Sequence, residues 1–184
     1  MDAAIKPVHP EMQCIGPAYT VQVIKNDCSV VFKALRNAPA GSVLVVAALG
    51  TTDAAFMGEI IATIAAKKGL AGIVIDGGIR DSRAIRQGKL PVFARAITPK
   101  SPNVNYLGAV QKTVTCAGII VRPGDLVSGD ADGVVVVPIE KVEEVLAKAK
   151  AKAKEEKDIW KMTNVIPDEK ALDEFLATAS GDKD

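Results

Sequence analysis

Two short polar segments carry the residues with which this chain could do chemistry. Gly58-Glu59-Ile60-Ile61 opens a predicted helix, where a glycine lets a ligand approach the backbone and unpaired amides suit an anion. Arg80 and Asp81 directly follow a predicted strand. The Arg80 guanidinium matches a carboxylate, Asp81 can bind a hard cation, and Glu59 could hold that cation's waters. This combination could form a site for a small anion and a divalent metal, and an equally open alternative is an Arg–Asp pair with only a structural role in a turn.

The composition excludes several other kinds of catalytic centre. The chain of 184 residues has one histidine, His9, and three widely spaced cysteines, Cys14, Cys28 and Cys116, with no C-x-x-C pair. A single histidine cannot build a multi-histidine metal centre, and it argues against Ser-His-Asp and Cys-His catalysis. The odd number of dispersed cysteines argues against a disulfide framework or a zinc site, so we expect buried, reduced thiols.

The charge balance gives no electrostatic reason to expect a nucleic acid or an anionic membrane as a partner. The chain has 23 Lys and Arg residues against 22 Asp and Glu residues. The lysines at 148–154 alternate with alanine and are flanked by glutamates, which is typical of a solvated helix face. The longest apolar run, 43–49, is far shorter than the roughly 20 residues that span a bilayer. No signal peptide is visible, so we expect a cytoplasmic protein.

A predicted strand–helix–strand unit positions the two polar segments. Apolar runs at 43–46 and 72–76 predict strands buried on both faces, and a helix is predicted over 56–68 between them. The two strands should be parallel, with residues 49–53 and 77–81 as the loops that follow them. Because adjacent parallel strands end at the same edge of a sheet, the two polar segments should lie close together. Asp76, at the end of the second strand, is expected to support the site from nearby.

Short strands and helices flank that unit. We predict strands at 19–24 and 91–95, helices at 27–37 and 81–87, and short meander-like strands at 110–115, 118–121, 126–128 and 134–137. From Pro138 onward the composition shifts to Lys, Glu and Ala, which predicts helices at 139–162 and 168–177. We therefore predict an α/β domain over residues 1–138 and a C-terminal helical extension over 139–184, which packs on that domain or on a neighbouring subunit.

The motifs resemble those of the RraA-like family. The main match is Gly58-Glu-Ile-Ile61 followed, with 21 intervening residues between Gly58 and Arg80, by Arg80-Asp81. Further matches are Pro91-Val-Phe-Ala-Arg95 and Ile97-Thr-Pro99. The last match runs from Val121-Arg-Pro-Gly-Asp-Leu-Val127 into Gly129-Asp-Ala-Asp-Gly-Val-Val-Val-Val-Pro138. It covers about residues 5–145. The family contains metal-dependent 4-hydroxy-4-methyl-2-oxoglutarate and 4-carboxy-4-hydroxy-2-oxoadipate aldolases, and also regulators of ribonuclease E activity.

The resemblance implies a three-layer β/β/α swivelling-type α/β fold, assembly into homotrimers or homohexamers, and a pyruvate-binding site near a subunit interface. It implies that Gly58, Glu59, Ile60 and Ile61 contact the substrate largely through backbone amides and that Arg80 binds the 2-oxo acid. Asp81 would ligate Mg²⁺ or Mn²⁺, with Glu59 acting through water, so that Arg80, Asp81 and Glu59 are the implied catalytic residues. An acidic residue of the C-terminal helix, Glu156 or Glu155, would approach the neighbouring subunit's site.

Two functions from different classes follow from this resemblance. The first is a divalent-metal-dependent aldolase and decarboxylase that cleaves 2-oxo acids such as 4-hydroxy-4-methyl-2-oxoglutarate and oxaloacetate through a pyruvate enolate. The alternative is a non-enzymatic regulator that binds a ribonuclease. The long C-terminal extension favours the enzyme. A methyltransferase is not supported, because the chain has no glycine-rich adenosyl-binding turn followed by an acidic strand end.

Overall fold

The computed structural model describes residues 1–24, 26–105, 108–163 and 173. Contacts divide the chain into two compact units, of which the first is Met1–Glu140 and the second begins at Lys141. The predicted helix at 168–177 lies outside the described residues apart from Asp173. None of the helices in the described ranges is long and apolar enough to cross a membrane.

A mixed sheet dominates the first unit. In chain order, the strands are β1 (Lys6–Pro7), β2 (Cys14–Gln22), β3 (Val43–Ala55), β4 (Gly72–Ile79), β5 (Val92–Ile97), β6 (Ala109–Val110), β7 (Val114–Cys116), β8 (Ile119–Val121), β9 (Leu126–Gly129) and β10 (Val134–Val137). The sheet has the order β1-β5-β4-β3-β2-β9-β10, with β6 also on β2, while β7 and β8 form a separate hairpin. The helices are α1 (Ser29–Asn37), α2 (Glu59–Lys67) and α3 (Ser82–Gln87).

The four central strands β2 to β5 are parallel, as the predicted strand–helix–strand unit requires. Val43 pairs with Gly72 and Val46 pairs with Ile75 across β3 and β4. The outer strands β1 and β9 run antiparallel to β5 and β2. The carboxyl ends of β3 and β4 therefore lie at one edge of the sheet, where α2 and α3 begin.

Apolar side chains cover both faces of this sheet because the residues of each strand alternate in direction. On one face, Leu44 and Ile75 join a buried cluster with residues of the three helices. On the other face, Val45 and Phe93 join a second cluster with residues of the β7–β8 hairpin and of β9. Helices, central sheet and an outer β-layer make three layers, so the expected β/β/α arrangement is confirmed.

The predicted loops at 49–53 and 77–79 are wrong, because both strands continue through them. β3 extends to Ala55 and β4 extends to Ile79. The pairing of the two strands shifts register between Val46 and Thr51 and again before Ala55. Leu49 and Gly50 have positive φ at the first shift, where the extra residues form an irregularity in a continuing strand rather than a turn. Only Arg80 and Asp81 remain as the segment after β4.

Two further differences from prediction change the strand pairing. The strand predicted at 110–115 is two strands, β6 and β7, separated at Gln111, whose φ is 55°. β2 begins at Cys14 rather than at residue 19, because Pro17 pairs with Leu126 in an antiparallel ladder that the sequence does not reveal.

The three cysteines are free and buried, as expected. Burial raises the pKa of Cys14 to about 11 and the pKa of Cys116 to about 12. Both thiols are therefore neutral at pH 7 and serve as small apolar groups of the outer core.

The described part of the second unit is the helix α4 (Val142–Thr163), which follows a 3₁₀ turn at Ile139–Lys141. Lys148 pairs with Glu144 and Lys152 pairs with Glu155 on its solvated surface. The 3.6-residue period puts Val142, Val145, Leu146 and Ala149 on one face of this helix as an apolar stripe. Most of this stripe is exposed, with Leu146 at 50%.

Candidate active site

The start of α2 is hydrogen-bonded to the end of β4, so the two polar segments lie side by side. The Phe56 N–H donates to the Gly78 carbonyl at 2.9 Å, and the Arg80 N–H donates to the Met57 carbonyl at 3.0 Å. Gly58 is the N-cap of α2, and Asp81 is the N-cap of α3. Two helix N-termini, each with unpaired N–H groups and a positive dipole end, thus meet at the sheet edge.

Asp81 has a left-handed backbone, with φ 56° and ψ 34°, a conformation that aspartate tolerates better than most residues. Its Oδ2 accepts a hydrogen bond from the Glu59 N–H at 3.0 Å. Its Oδ1 accepts none from the residues that the structure describes, and the side chain is 44% exposed. One carboxylate oxygen is therefore fixed at the start of α2, while the other is available to a ligand.

Arg80 lies beside this carboxylate. Its Nη1 donates to the Ser101 Oγ at 2.8 Å, and its Nε is 3.7 Å from the Asp81 Oδ2. The side chain is 42% exposed, so this ion pair contributes little to stability. The guanidinium keeps donors for an anionic ligand. Sequence reasoning missed Ser101, because a single serine in a loop carries no spacing signal.

Gly58 is required for space. A Cβ at this position would lie 2.2 Å from the Asp81 Oδ2 and 3.0 Å from the Arg80 Cγ. Its φ of −146° is open to any residue, so the requirement is steric. The Asp81 carboxylate occupies the space where a Cβ would lie, and the access of a ligand to the Gly58 backbone stays a prediction.

The remaining residues of the motif have different surroundings. The Glu59 N–H is bonded to Asp81 rather than unpaired, and its side chain is exposed. Ile60 is 72% exposed, whereas Ile61 is buried in the helix-side core. The first bond within the helix runs from the Ala62 N–H to the Gly58 carbonyl at 3.1 Å, so Ile60 and Ile61 present amides without helical acceptors.

A cavity of about 190 Å³ opens at Arg80 and Asp81. Phe32 and Ile60 form apolar parts of its wall, and Pro102 of the 98–105 loop forms another. Cys28 also lines it, and burial, followed by the charge of Asp27, raises the pKa of its thiol, which is therefore a neutral group. The volume suits a small organic acid. Glu59 instead lines a second cavity of about 380 Å³ between α2 and α3.

The described residues contain no group of three or more His, Cys, Asp or Glu side chains that could hold a metal ion. A cation at Asp81 would have one or two carboxylates and otherwise water or ligand oxygens. Such a donor set suits Mg²⁺ and not a metal that needs several protein ligands.

Asp76 lies on β4, but its hydrogen bonds go to other partners than Arg80 and Asp81. Its Oδ1 accepts from the Arg95 Nε at 2.6 Å, and its Oδ2 accepts from the Ala117 N–H at 2.8 Å. Arg95 also bonds to Asp2 at 3.0 Å. The buried Asp76 carboxylate thus joins β4 and β5 to the β7–β8 hairpin.

Replacing Asp76 by Ala is expected to lower the free energy of unfolding by about 3 kcal/mol, because Arg95 and the Ala117 N–H would lose a buried acceptor. Urea denaturation would measure it. The control is Asp53→Ala, which removes an exposed pair with Lys100 and should change stability little. Equal effects of the two variants would contradict this role of Asp76.

Glu155 and Glu156 lie on α4 in the second unit. Glu155 pairs with Lys152 at 3.1 Å. Glu156 follows Val145 by eleven residues and Ala149 by seven, so it shares the helix face of the apolar stripe.

Comparisons with known proteins identify the family of this chain. The model of the family described as "RraA-like: Aldolase/RraA" matches residues 1–136. A protein of Halalkalibacterium halodurans named "Putative 4-hydroxy-4-methyl-2-oxoglutarate aldolase" is 41% identical over 152 residues, which cover 83% of this chain and 72% of that protein.

Solved structures show the same fold. An uncharacterized protein from Pseudomonas syringae pv. tomato has a TM-score of 0.77 at 29% identity, covering 98% of this chain and 80% of that one. The RNA-processing inhibitor RraA from Thermus thermophilis has a TM-score of 0.69 at 30% identity, covering 75% of this chain and 84% of that one.

Proposed function

Because the chain belongs to the RraA-like family, we propose that it is a divalent-metal-dependent aldolase and decarboxylase of small 2-oxo acids. The substrates would be 4-hydroxy-4-methyl-2-oxoglutarate and oxaloacetate, and the products include pyruvate. The observation that carries the proposal is the meeting of Arg80 and Asp81 with the N-terminus of α2 at one small cavity. A relative that is 41% identical is named for the same aldolase activity.

Arg80 would bind the carboxylate of the 2-oxo acid. Its guanidinium is half-exposed at the cavity and makes one hydrogen bond within the described part of the chain, to Ser101, so other donors remain for a paired contact with a carboxylate. The amides of Ile60 and Ile61 and the positive end of the α2 dipole add to the attraction for an anion.

Asp81 would hold Mg²⁺ or Mn²⁺ through its Oδ1, with water and substrate oxygens as the other ligands. The residues fit such a cation, because Mg²⁺ is usually bound by one or two carboxylates and keeps several waters. Carboxylate donors also select Mg²⁺ or Mn²⁺ over metals that prefer imidazole or thiolate. When bound, the cation would supply positive charge against the oxygen of the pyruvate enolate, which is the charge that both retro-aldol cleavage and decarboxylation generate.

The chain's own residues would place and stabilise the reacting acid. Breaking the bond to C3 of the 2-oxo acid leaves an electron pair that delocalises onto the C2 oxygen. Arg80 and the N-terminus of α2 would stabilise this charge in a site whose donors are already in place. Glu59, whose exposed side chain lines the neighbouring cavity between α2 and α3, would act on the cation through water.

A second copy of the chain would complete the site in a homotrimer or homohexamer. Ile60, 72% exposed, and Phe32, 46% exposed, flank the cavity and leave an apolar surface uncovered. Glu156, on the apolar face of α4, would approach the site of a neighbouring subunit.

The protein is expected to release pyruvate from 4-hydroxy-4-methyl-2-oxoglutarate or oxaloacetate. This release should stop in EDTA and return when excess Mg²⁺ is added. A lactate dehydrogenase assay of NADH oxidation would follow it, with substrate decay in buffer plus Mg²⁺ subtracted as the control. Turnover that survives EDTA, or no turnover on either acid with Mg²⁺ or Mn²⁺, would contradict the proposal.

A regulatory function is the second candidate. The observation in its favour is the structural likeness to a protein described as an RNA-processing inhibitor. Inhibition of a purified ribonuclease E by this chain, together with no pyruvate release from any 2-oxo acid, would favour the regulator over the enzyme.

A further inference from the structure

The 98–105 loop, between β5 and β6, is fixed to the site at one end and to the start of α1 at the other. It contributes Pro102 to the cavity wall and Ser101 to Arg80. Its position therefore decides where the Ser101 hydroxyl lies, and that hydroxyl is the hydrogen-bond acceptor of the Arg80 Nη1.

The first half of the loop is bonded to the ends of the central strands. The Thr98 N–H donates to the Ile79 carbonyl at 2.8 Å, and the Lys100 carbonyl accepts from the Ala55 N–H at 2.9 Å. Lys100 also makes an exposed ion pair with Asp53 at 2.9 Å. These bonds place the chain beside β3 and β4 up to Lys100, one residue before Ser101.

The second half is held by a buried carboxylate. Asp27 is fully buried, and its Oδ1 accepts from the Ser29 N–H at 2.8 Å while its Oδ2 accepts from the Asn105 N–H. The adjacent backbone pairs with the loop as well, from Asn103 to Asn26 at 2.8 Å and from Cys28 to Asn103 at 3.0 Å. Burial favours the neutral acid, but the hydrogen bonds from Ser29 and Asn105 outweigh it and lower the pKa of Asp27, which keeps the carboxylate ionised.

We propose that Asp27 and Ser101 are positioning residues that hold the Arg80 guanidinium at the cavity: Asp27 fixes the loop, and Ser101 fixes the arginine. The effect of this arrangement on catalysis rests on the proposed function. Arg80 is a long side chain with many rotamers, and it is 42% exposed. Because the side chain is only partly buried, the Ser101 bond helps to set its orientation before the substrate arrives, which lowers the ordering cost of binding.

Ser101→Ala is expected to raise KM about tenfold, because it removes the hydrogen bond that orients the group binding the substrate carboxylate. It should also lower kcat by a smaller factor, because the same guanidinium stabilises the enolate charge. Ser101→Thr keeps the hydroxyl and should restore KM. Asp27→Asn replaces an acceptor oxygen by a donor facing Ser29 or Asn105, and should raise KM in the same sense. Asp53→Asn is the matched control, because it removes only the exposed ion pair between Asp53 and Lys100 of the same loop and should leave KM unchanged.

A second measurement separates this proposal from the proposed function. ¹⁵N relaxation of the Arg80 Nε–Hε group should show an ordered guanidinium in the wild type and in Ser101→Thr, and a mobile one in Ser101→Ala and Asp27→Asn. Unchanged order in both of the latter variants would overturn the positioning proposal even in an active enzyme. If the guanidinium of Arg80 becomes mobile in these variants but the wild type releases no pyruvate, the proposed function is refuted and the positioning of Arg80 is still supported. Ser101→Ala alters an exposed side chain and keeps the test valid if Asp27→Asn fails to fold.

Discussion

Asp81→Asn is expected to lower kcat/KM for 2-oxo acid cleavage at least about a hundredfold, the usual loss when a group that organises charge in the transition state is removed. The amide cannot replace the carboxylate as a ligand for a hard cation. Asparagine also tolerates the left-handed backbone that Asp81 adopts, at φ 56°, so the start of α3 should keep its geometry. Alanine would be a poorer choice, because it adds backbone strain to the loss of charge.

The measurement is steady-state pyruvate release with Mg²⁺ varied at fixed substrate. Asp53→Asn provides the control for the same chemical change at an exposed aspartate 2.9 Å from Lys100. Near-normal kcat/KM in Asp81→Asn would refute the assignment of Asp81 as the cation ligand. Unfolding by urea should be close to wild type, since the Asp81 side chain is half-exposed.

The sequence predicted those parts of the fold that depend on local pattern. Apolar runs at 43–46 and 72–76, with a helix between them, were enough to predict parallel β3 and β4, and the convergence of Gly58 with Arg80 follows from that topology. The motifs identified the RraA-like family and, through it, the three-layer fold, and both are confirmed. The full length of β3 was not predictable, because Gly50 favours a turn locally while pairing with β4 keeps the strand extended.

Contacts between residues far apart in sequence could not be predicted. Ser101 reaches Arg80 from a loop that is held by residues distant in sequence, among them Asp27, 78 residues before Asn105. Asp76 was expected to support the site from its place in the chain. It is instead hydrogen-bonded to Arg95 and Ala117, because its side chain lies on the face of β4 that carries these partners. Arg95, a charged residue in an otherwise apolar strand, was the available signal that a buried acid must lie nearby.

Gly58→Ala is expected to lower kcat/KM by about the same hundredfold factor as Asp81→Asn, because it acts on the same carboxylate. The added Cβ would lie 2.2 Å from the Asp81 Oδ2, so that oxygen must move and its bond to the Glu59 N–H must break. The backbone of Gly58, at φ −146°, accommodates alanine without strain. The obstructed atom is the end of a half-exposed side chain, which can rotate into solvent, so the fold should survive while the cation ligand is displaced.

Three comparisons make this prediction specific. Gly88→Ala is the matched control, because its φ is −77° and its Cβ would make a tight 3.3 Å contact with the Ile85 carbonyl oxygen rather than an overlap. Since Gly88 touches neither Arg80 nor Asp81 in the described structure, kcat/KM should stay within about twofold of wild type. Mn²⁺ binding, followed by electron paramagnetic resonance, should weaken in Gly58→Ala and not in Gly88→Ala. In the double variant with Asp81→Asn, the two losses should not add, because both remove the same ligand. Additive losses would mean that Gly58 acts through direct access of the substrate to the backbone, and the role assigned to the space beside Asp81 would then be wrong.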